Sequence, residues 1–143
     1  INLREINPER LHYLLPKIKR LFVTKKIKSI ITSAQSGSNR ILKLMGRNYT
    51  VEQYKYCIEQ LREACPKLLI RAAIMVGFPS ETNADFHASM QLLDKVNLDM
   101  VDVFRYSNRP NTEAARYQNQ VDEFVKYKRA LLLRMKALGK ILF

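Results

Sequence analysis

The sequence predicts an α/β fold with a parallel sheet, and three observations carry that reading. Strand-like and helix-like runs alternate about four times, a pattern that calls for right-handed βαβ units. Residues 68–77, Leu-Leu-Ile-Arg-Ala-Ala-Ile-Met-Val-Gly, are so continuously apolar that they fit a strand buried on both faces. Helix-start signals stand between the strand-like runs, at Asn7-Pro8, Thr50 and Thr82. With 143 residues, 47% of them apolar, a single domain with a sizeable core is expected.

In order along the chain, residues 1–5 can close a first strand. Asn7 then caps a helix that opens on Pro8, because proline loses nothing at the first helical position. Leu11, Leu14, Leu15, Ile18 and Leu21 recur at helical spacing, and Pro16 within that run is expected to kink or shorten the helix. Residues 28–34 read as a short strand, and residues 38–45 as a brief helix stopped by Gly46. Thr50 and Gln53 form a capping box ahead of the stripe Val51, Tyr54, Ile58, Leu61 and Cys65, which Pro66 ends. After the apolar strand, Thr82 and Asp85 repeat a cap-like pair before Phe86, Met90 and Leu93, and residues 100–106 read as another strand. Asp122 can cap a long basic amphipathic helix running to about Lys140.

The net charge is +12, and it is unevenly spread. Residues 1–50 carry 11 basic and 2 acidic groups, residues 51–103 carry 5 and 8, and residues 104–143 carry 9 and 3. Two basic ends around an acidic middle favour a polyanionic partner, although a solvated basic face would have the same composition. No long apolar run and no export signal are visible, so the expected location is the cytoplasm, with no membrane contact. The chain starts at Ile1 rather than methionine, which suggests processing or excision. Cys57 and Cys65 lie about two turns apart on one helix, too distant for a disulfide, and read as small core residues. His12 and His87 have no partner at metal-ligand spacing and read as helix residues.

In a parallel sheet, ligands gather at the carboxyl ends of the strands. Gln35, Gly77 and Ser107 each stand just past a predicted strand end and should share one rim. Gln35-Ser36-Gly37-Ser38 offers an amide and two hydroxyls ahead of a helix N-terminus; such a group can bind ribose hydroxyls, or can be a plain turn and cap. Arg47 can return a guanidinium to that rim as a carboxylate partner, or can be a surface arginine. Gly77-Phe78-Pro79 permits close approach of backbone to a flat ring, and Glu81 suits the start of the next helix.

Three stretches, residues 35–50, 74–82 and 103–115, together resemble the radical S-adenosylmethionine methylthiotransferases, of the type that modifies tRNA adenosines. The resemblance implies a partial TIM-like barrel, with residues 1–143 forming the C-terminal portion of a radical SAM domain. It implies that Gln35, with Ser36 and Ser38 beside it, contacts the ribose of S-adenosylmethionine, and that Arg47 binds its methionine carboxylate. Val76, Gly77 and the segment from Phe104 to Tyr106 would flank the adenine. The parent protein would carry 4Fe-4S clusters, and its substrate and partner would be tRNA.

The chain also departs from the pattern. It has no C-x3-C-x2-C motif to hold the radical cluster, so the isolated chain is expected to be inactive. Ala73 stands where the family has a ribose-binding aspartate, Ser33 where it has proline, and Asn111 where it has glycine. A divergent radical SAM enzyme of other chemistry and a non-catalytic RNA-binding fragment are the alternatives. Part of a barrel leaves apolar surface and strand edges open, so the isolated chain is expected to self-associate.

Overall fold

The computed structural model describes residues 1–142. Four strands, β1 (Asn2–Leu3), β2 (Ser29–Ile31), β3 (Leu69–Val76) and β4 (Met100–Arg105), form one sheet in the order β1-β2-β3-β4, every pair parallel. Helix α1 (Pro8–Val23) joins the first two strands, α2 (Asn39–Leu44) and α3 (Val51–Ala64) the next two, and α4 (Asn83–Lys95) the last two. Helix α5 (Glu123–Leu142) follows β4. Sequential parallel neighbours joined by helices are an arc of a βα barrel, as expected.

The helix starts follow from their caps. Asn7 accepts a hydrogen bond from the Glu9 N–H, and Asp122 accepts from Phe124 and Val125. Both Thr50–Gln53 and Thr82–Asp85 close reciprocal capping boxes. Helix α1 runs unbroken through Pro16, contrary to the expected shortening. Pro16 is exposed, so water can take the carbonyl bond that its missing N–H leaves open.

The core lies between the helices and one face of the sheet, with Leu11, Phe22, Ile30, Tyr54, Ile58, Leu61, Ile70 and Ile74 almost completely buried. Strand β3 is not buried on both faces. Its residues alternate: Ile70, Ala72, Ile74 and Val76 are buried, while Leu69 and Arg71 are exposed and Ala73 and Met75 half-buried. The second side is the concave side of the arc, where Arg71 forms a two-pronged ion pair with Asp102 of β4. Its apolar run therefore reflects a face that nothing among the described residues covers. No described helix is long and apolar enough to cross a membrane.

Candidate functional site

The strand ends meet as a single rim held by backbone hydrogen bonds. Gln35 extends β2 by an isolated bridge to Ile74: its N–H donates to the Ala73 carbonyl (2.9 Å) and its carbonyl accepts from the Met75 N–H (2.8 Å). On the other side of β3, the Tyr106 N–H donates to the Val76 carbonyl (2.9 Å). Gln35 sits at φ 63°, in the left-handed region that a non-glycine residue occupies at a cost of roughly 1–3 kcal/mol. Its two bonds to β3 hold that conformation and fix the direction in which its side chain leaves the rim.

Arg47 reaches the same place by another route. Helix α2 ends at Gly46, whose φ of 67° lets the chain double back, with the Arg47 N–H donating to the Leu42 carbonyl (2.9 Å). The Tyr49 hydroxyl then donates to the carbonyls of Ser33 (3.2 Å) and Ala34 (3.0 Å), drawing the returning segment against the end of β2. Burial pushes that hydroxyl up to about 12, against the opposing charge of Arg47, so it stays a neutral donor. Gln35, Arg47 and Tyr49 line one cleft of about 340 Å³ together with Glu5 and Asn7. The Arg47 guanidinium is exposed and has no hydrogen bond or ion pair among the described residues. An uncommitted guanidinium beside an amide in a cleft can take a carboxylate in two-pronged fashion.

The other expected residues are placed differently. Ser36 and Ser38 are buried and are not part of the lining of the cleft that holds Gln35 and Arg47. The Ser36 Oγ accepts from the Ser38 N–H (3.1 Å), while the Ser38 Oγ caps α2 at Ile41 (3.4 Å) and donates to Asp85 (2.6 Å). Val76 has no exposed surface. The peptide joining it to Gly77 has both polar groups engaged, because the Gly77 N–H donates to the Glu81 carboxylate (2.7 Å). A Cβ on Gly77 would run into the stem of Lys126, so a side chain of α5 takes the space that the missing Cβ leaves. Phe104 and Tyr106 line a second cleft, of about 420 Å³, with Met75, Arg105 and Arg109. Phe104 is exposed; Tyr106 is buried with its ring edge-on to Phe78 at 5.3 Å and the Lys126 ammonium over its face.

Two ionic constellations behind the rim have no clear sequence signal. Asp85 receives hydrogen bonds from Arg40, Ser38 and Thr82, joining α2 to α4, and Arg40 also donates to the Ser80 carbonyl (2.6 Å). Burial works to raise the Asp85 carboxyl, but these donors outweigh it and hold the group well below the usual carboxylate range. Glu81, with a fully buried side chain, pairs with Arg129 of α5 at 2.7 Å. Burial pushes its carboxyl above the ordinary value against the pull of Gly77 and Arg129, and its second oxygen has no partner. The spacing of Thr82 and Asp85 announced a cap. Nothing in the sequence announced that Arg40 and Arg129, 45 and 48 positions from their partners, would complete these clusters.

The family model described as the radical SAM superfamily matches residues 5–93. The chain belongs to the radical SAM superfamily. Among curated relatives it is 49% identical over 92 residues to the tRNA-2-methylthio-N(6)-dimethylallyladenosine synthase of Desulfotalea psychrophila, covering 64% of this chain and 21% of that protein. It is 38% identical over 135 residues to the synthase of the same name from Sulfurovum sp., covering 94% and 31%. The threonylcarbamoyladenosine tRNA methylthiotransferase MtaB of Thermotoga maritima is 42% identical over 105 residues, covering 73% and 24%. The chain thus spans 21% to 31% of the length of these relatives, all of the methylthiotransferase type that its motifs resemble.

Two solved structures share the fold of this radical SAM chain. The coproporphyrinogen III oxidase HemN of Escherichia coli superposes with a TM-score of 0.74 at 16% identity, covering 96% of this chain and 31% of that one. The Elp3 of Methanocaldococcus infernus superposes at 0.70 with 18% identity, covering 93% and 32%.

The cofactors of the superfamily fit this radical SAM chain unequally. The Gln35–Arg47 cleft offers an amide and a free guanidinium, donors suited to the ribose hydroxyls and carboxylate of S-adenosylmethionine. The Ala73 carbonyl accepts from the Gln35 N–H, but Ala73 brings no polar side chain. Asn111, at the position of the family glycine, adopts φ 67°, which asparagine tolerates better than most residues. For an iron–sulfur cluster the fit fails: no group of three His, Cys, Asp or Glu among the described residues can hold a metal. Cys57 and Cys65 are free and buried in the core, and burial pushes the Cys57 thiol up to about 11.

Proposed function

We propose that residues 1–142 carry the S-adenosylmethionine-binding side of a radical SAM methylthiotransferase, and that the parent protein attaches a methylthio group to a modified adenosine of tRNA. One observation carries the reading: Gln35, held at positive φ by two bonds to β3, shares a cleft with the unpartnered Arg47. In this reading Arg47 grips the methionine carboxylate, Gln35 the ribose, and Tyr49 keeps the Arg47 segment against the strand end. Phe104 and Tyr106 lie two strands further along the rim, across β3, on the adenine side of this reading. The bound cofactor supplies the radical chemistry of the superfamily, together with a cluster whose ligands are not in this chain. The similarity to tRNA-modifying relatives supports tRNA as the substrate, and the basic ends of the chain agree with it.

The test uses the protein expressed from its complete gene. Equilibrium dialysis with S-adenosylmethionine should show binding that Arg47→Met weakens about 10- to 100-fold, the loss of a charge-assisted pair. Gln35→Ala should weaken it less, by about tenfold. Unchanged affinity in Arg47→Met, with an unchanged melting temperature, would sink the assignment of the cleft.

A further inference from the structure

Apart from Arg40 and Arg47, the cations of the basic N-terminal third have no part in the rim, and some of them converge at the opposite end of the sheet. Lys25, Lys28 and Lys67, with Ile27, Cys65 and Pro66, line a cavity of about 310 Å³ where the chain enters β2 and β3. No acidic residue lines it. None of the three ammonium groups has a hydrogen bond or ion pair among the described residues. Elsewhere among the described residues, seven Lys or Arg side chains are matched to carboxylates, Glu63, Asp94 and Asp99 among them. Lys25, just past the Thr24 C-cap of α1, has φ 58°, a conformation usually given to glycine or asparagine. A lysine is thus held there at a cost in backbone strain of about 1 kcal/mol.

An apolar floor rimmed by three uncommitted cations matches the two halves of a nucleotide, a flat base and an anionic phosphodiester. We infer that this cavity is a second RNA contact, remote from the rim, in which a nucleotide of an unpaired strand seats its base on the exposed Pro66, backed by the buried Ile27, and its phosphates on Lys25, Lys28 and Lys67. The inference rests on the tRNA reading above and extends it: an RNA presented to the rim also grips the far end of the sheet.

The experiment measures binding of a labelled single-stranded RNA, and of an abasic oligomer of equal length, by the protein from its complete gene as salt is raised. Each lost phosphate contact lowers the slope of log K against log salt by about 0.7 for a single strand, so Lys25→Gln/Lys28→Gln/Lys67→Gln should lower it by about 2. A control triple, Lys43→Gln/Lys55→Gln/Lys128→Gln, removes the same charge from lysines without ion pairs elsewhere and should change the slope by less than about 1. The abasic oligomer should bind several-fold more weakly than RNA, a gap that closes in the cavity variant. Equal slopes in both triples make the lysines a solvated basic surface and overturn the inference. An abasic oligomer that binds as well as RNA overturns it too. S-adenosylmethionine binding, read in the same preparations, separates the failures: retained binding with equal slopes sinks the cavity alone. Wild-type protein with no affinity for RNA sinks the tRNA reading and the cavity with it.

Discussion

At the scale of single residues, the rim divides into atoms already committed and atoms still available. Ser36, Ser38 and the Val76–Gly77 peptide spend their polar groups inside the fold, whereas Gln35 and Arg47 keep theirs free. That division explains how much of the site was legible. The positions of Gln35 at a strand end and of Arg47 after the short helix followed from local pattern, but the commitment of Ser38 depends on Asp85, 47 residues away, which no local pattern carries. Ala73 sits beside Gln35 on the concave face, so Ala73→Asp would place a carboxylate where the ribose hydroxyls are expected. It should tighten S-adenosylmethionine binding about tenfold, or about 1.4 kcal/mol, as read by dialysis. Weaker binding would mean that the nearby Asp102 already fills that role or repels the newcomer. Gly37 makes a different prediction, because a Cβ there would collide with the backbone of Ala88 and Ser89, whereas one on Gly46 would meet open space. Gly37→Ala should cost about 2–4 kcal/mol by overpacking, and Gly46→Ala only about 1 kcal/mol for its positive φ; urea denaturation separates them.

At the scale of elements, the caps were the most readable features, because a capping box is complete within four residues. The strand β3 was misread for the opposite reason. Period-two alternation is hidden when both faces are apolar, and which face has a cover is decided by elements outside the strand. Helix α4 joins the two levels, since Asp85 is both its cap and the partner of Arg40 and Ser38. Thr50→Ala should remove only a local cap from α3 and cost about 1 kcal/mol. Asp85→Ala also strands Arg40 and the Ser38 hydroxyl and should cost about 2–4 kcal/mol. The same carboxylate makes stability depend on pH. Its folded pKa lies below the ordinary 3.8, so its contribution is complete above that value and is lost as pH falls through the folded pKa. Wild-type stability from chemical denaturation should therefore drop more steeply below about pH 4 than that of Asp85→Asn. Parallel curves for the two proteins would remove Asp85 from the acid transition.

At the scale of the whole molecule, the arc has two apolar surfaces that nothing described covers. The concave face exposes Leu69, Met100 and Phe104 at 58%, 52% and 56%, and the outer side of α5 exposes Phe124, Tyr127, Met135 and Leu138. Meanwhile the inner side of α5 buries two cations, Lys126 and Arg129, against the rim beside the core residues Ala130, Leu133 and Ala137, while its outer side mixes those exposed apolar side chains with the exposed Lys128 and Arg134. Amphipathic spacing located the helix but not its orientation, which the Glu81–Arg129 pair fixes. Arg129→Met would leave Glu81 buried and unpaired and should cost about 3–5 kcal/mol. The double variant Glu81→Gln/Arg129→Met should recover part of that loss in a thermal melt. Exposed patches of this size favour association. Leu69, Met100 and Phe104 are already about half buried, so covering them yields only a few kcal/mol per protomer before the entropic cost of association, which suits weak, concentration-dependent contacts rather than nanomolar affinity. The 143-residue chain, expressed alone, should therefore elute from a sizing column above its 16.7 kDa monomer mass, increasingly so with concentration. Leu69→Lys/Phe104→Lys places charges on the concave face and should shift it toward the monomer, while Met135→Lys/Leu138→Lys asks the same of α5. If only the second pair dissociates the chain, the contact lies on the helix. A wild-type chain that elutes as a monomer at every concentration and melts cooperatively would show that this arc is stable with its concave face in water.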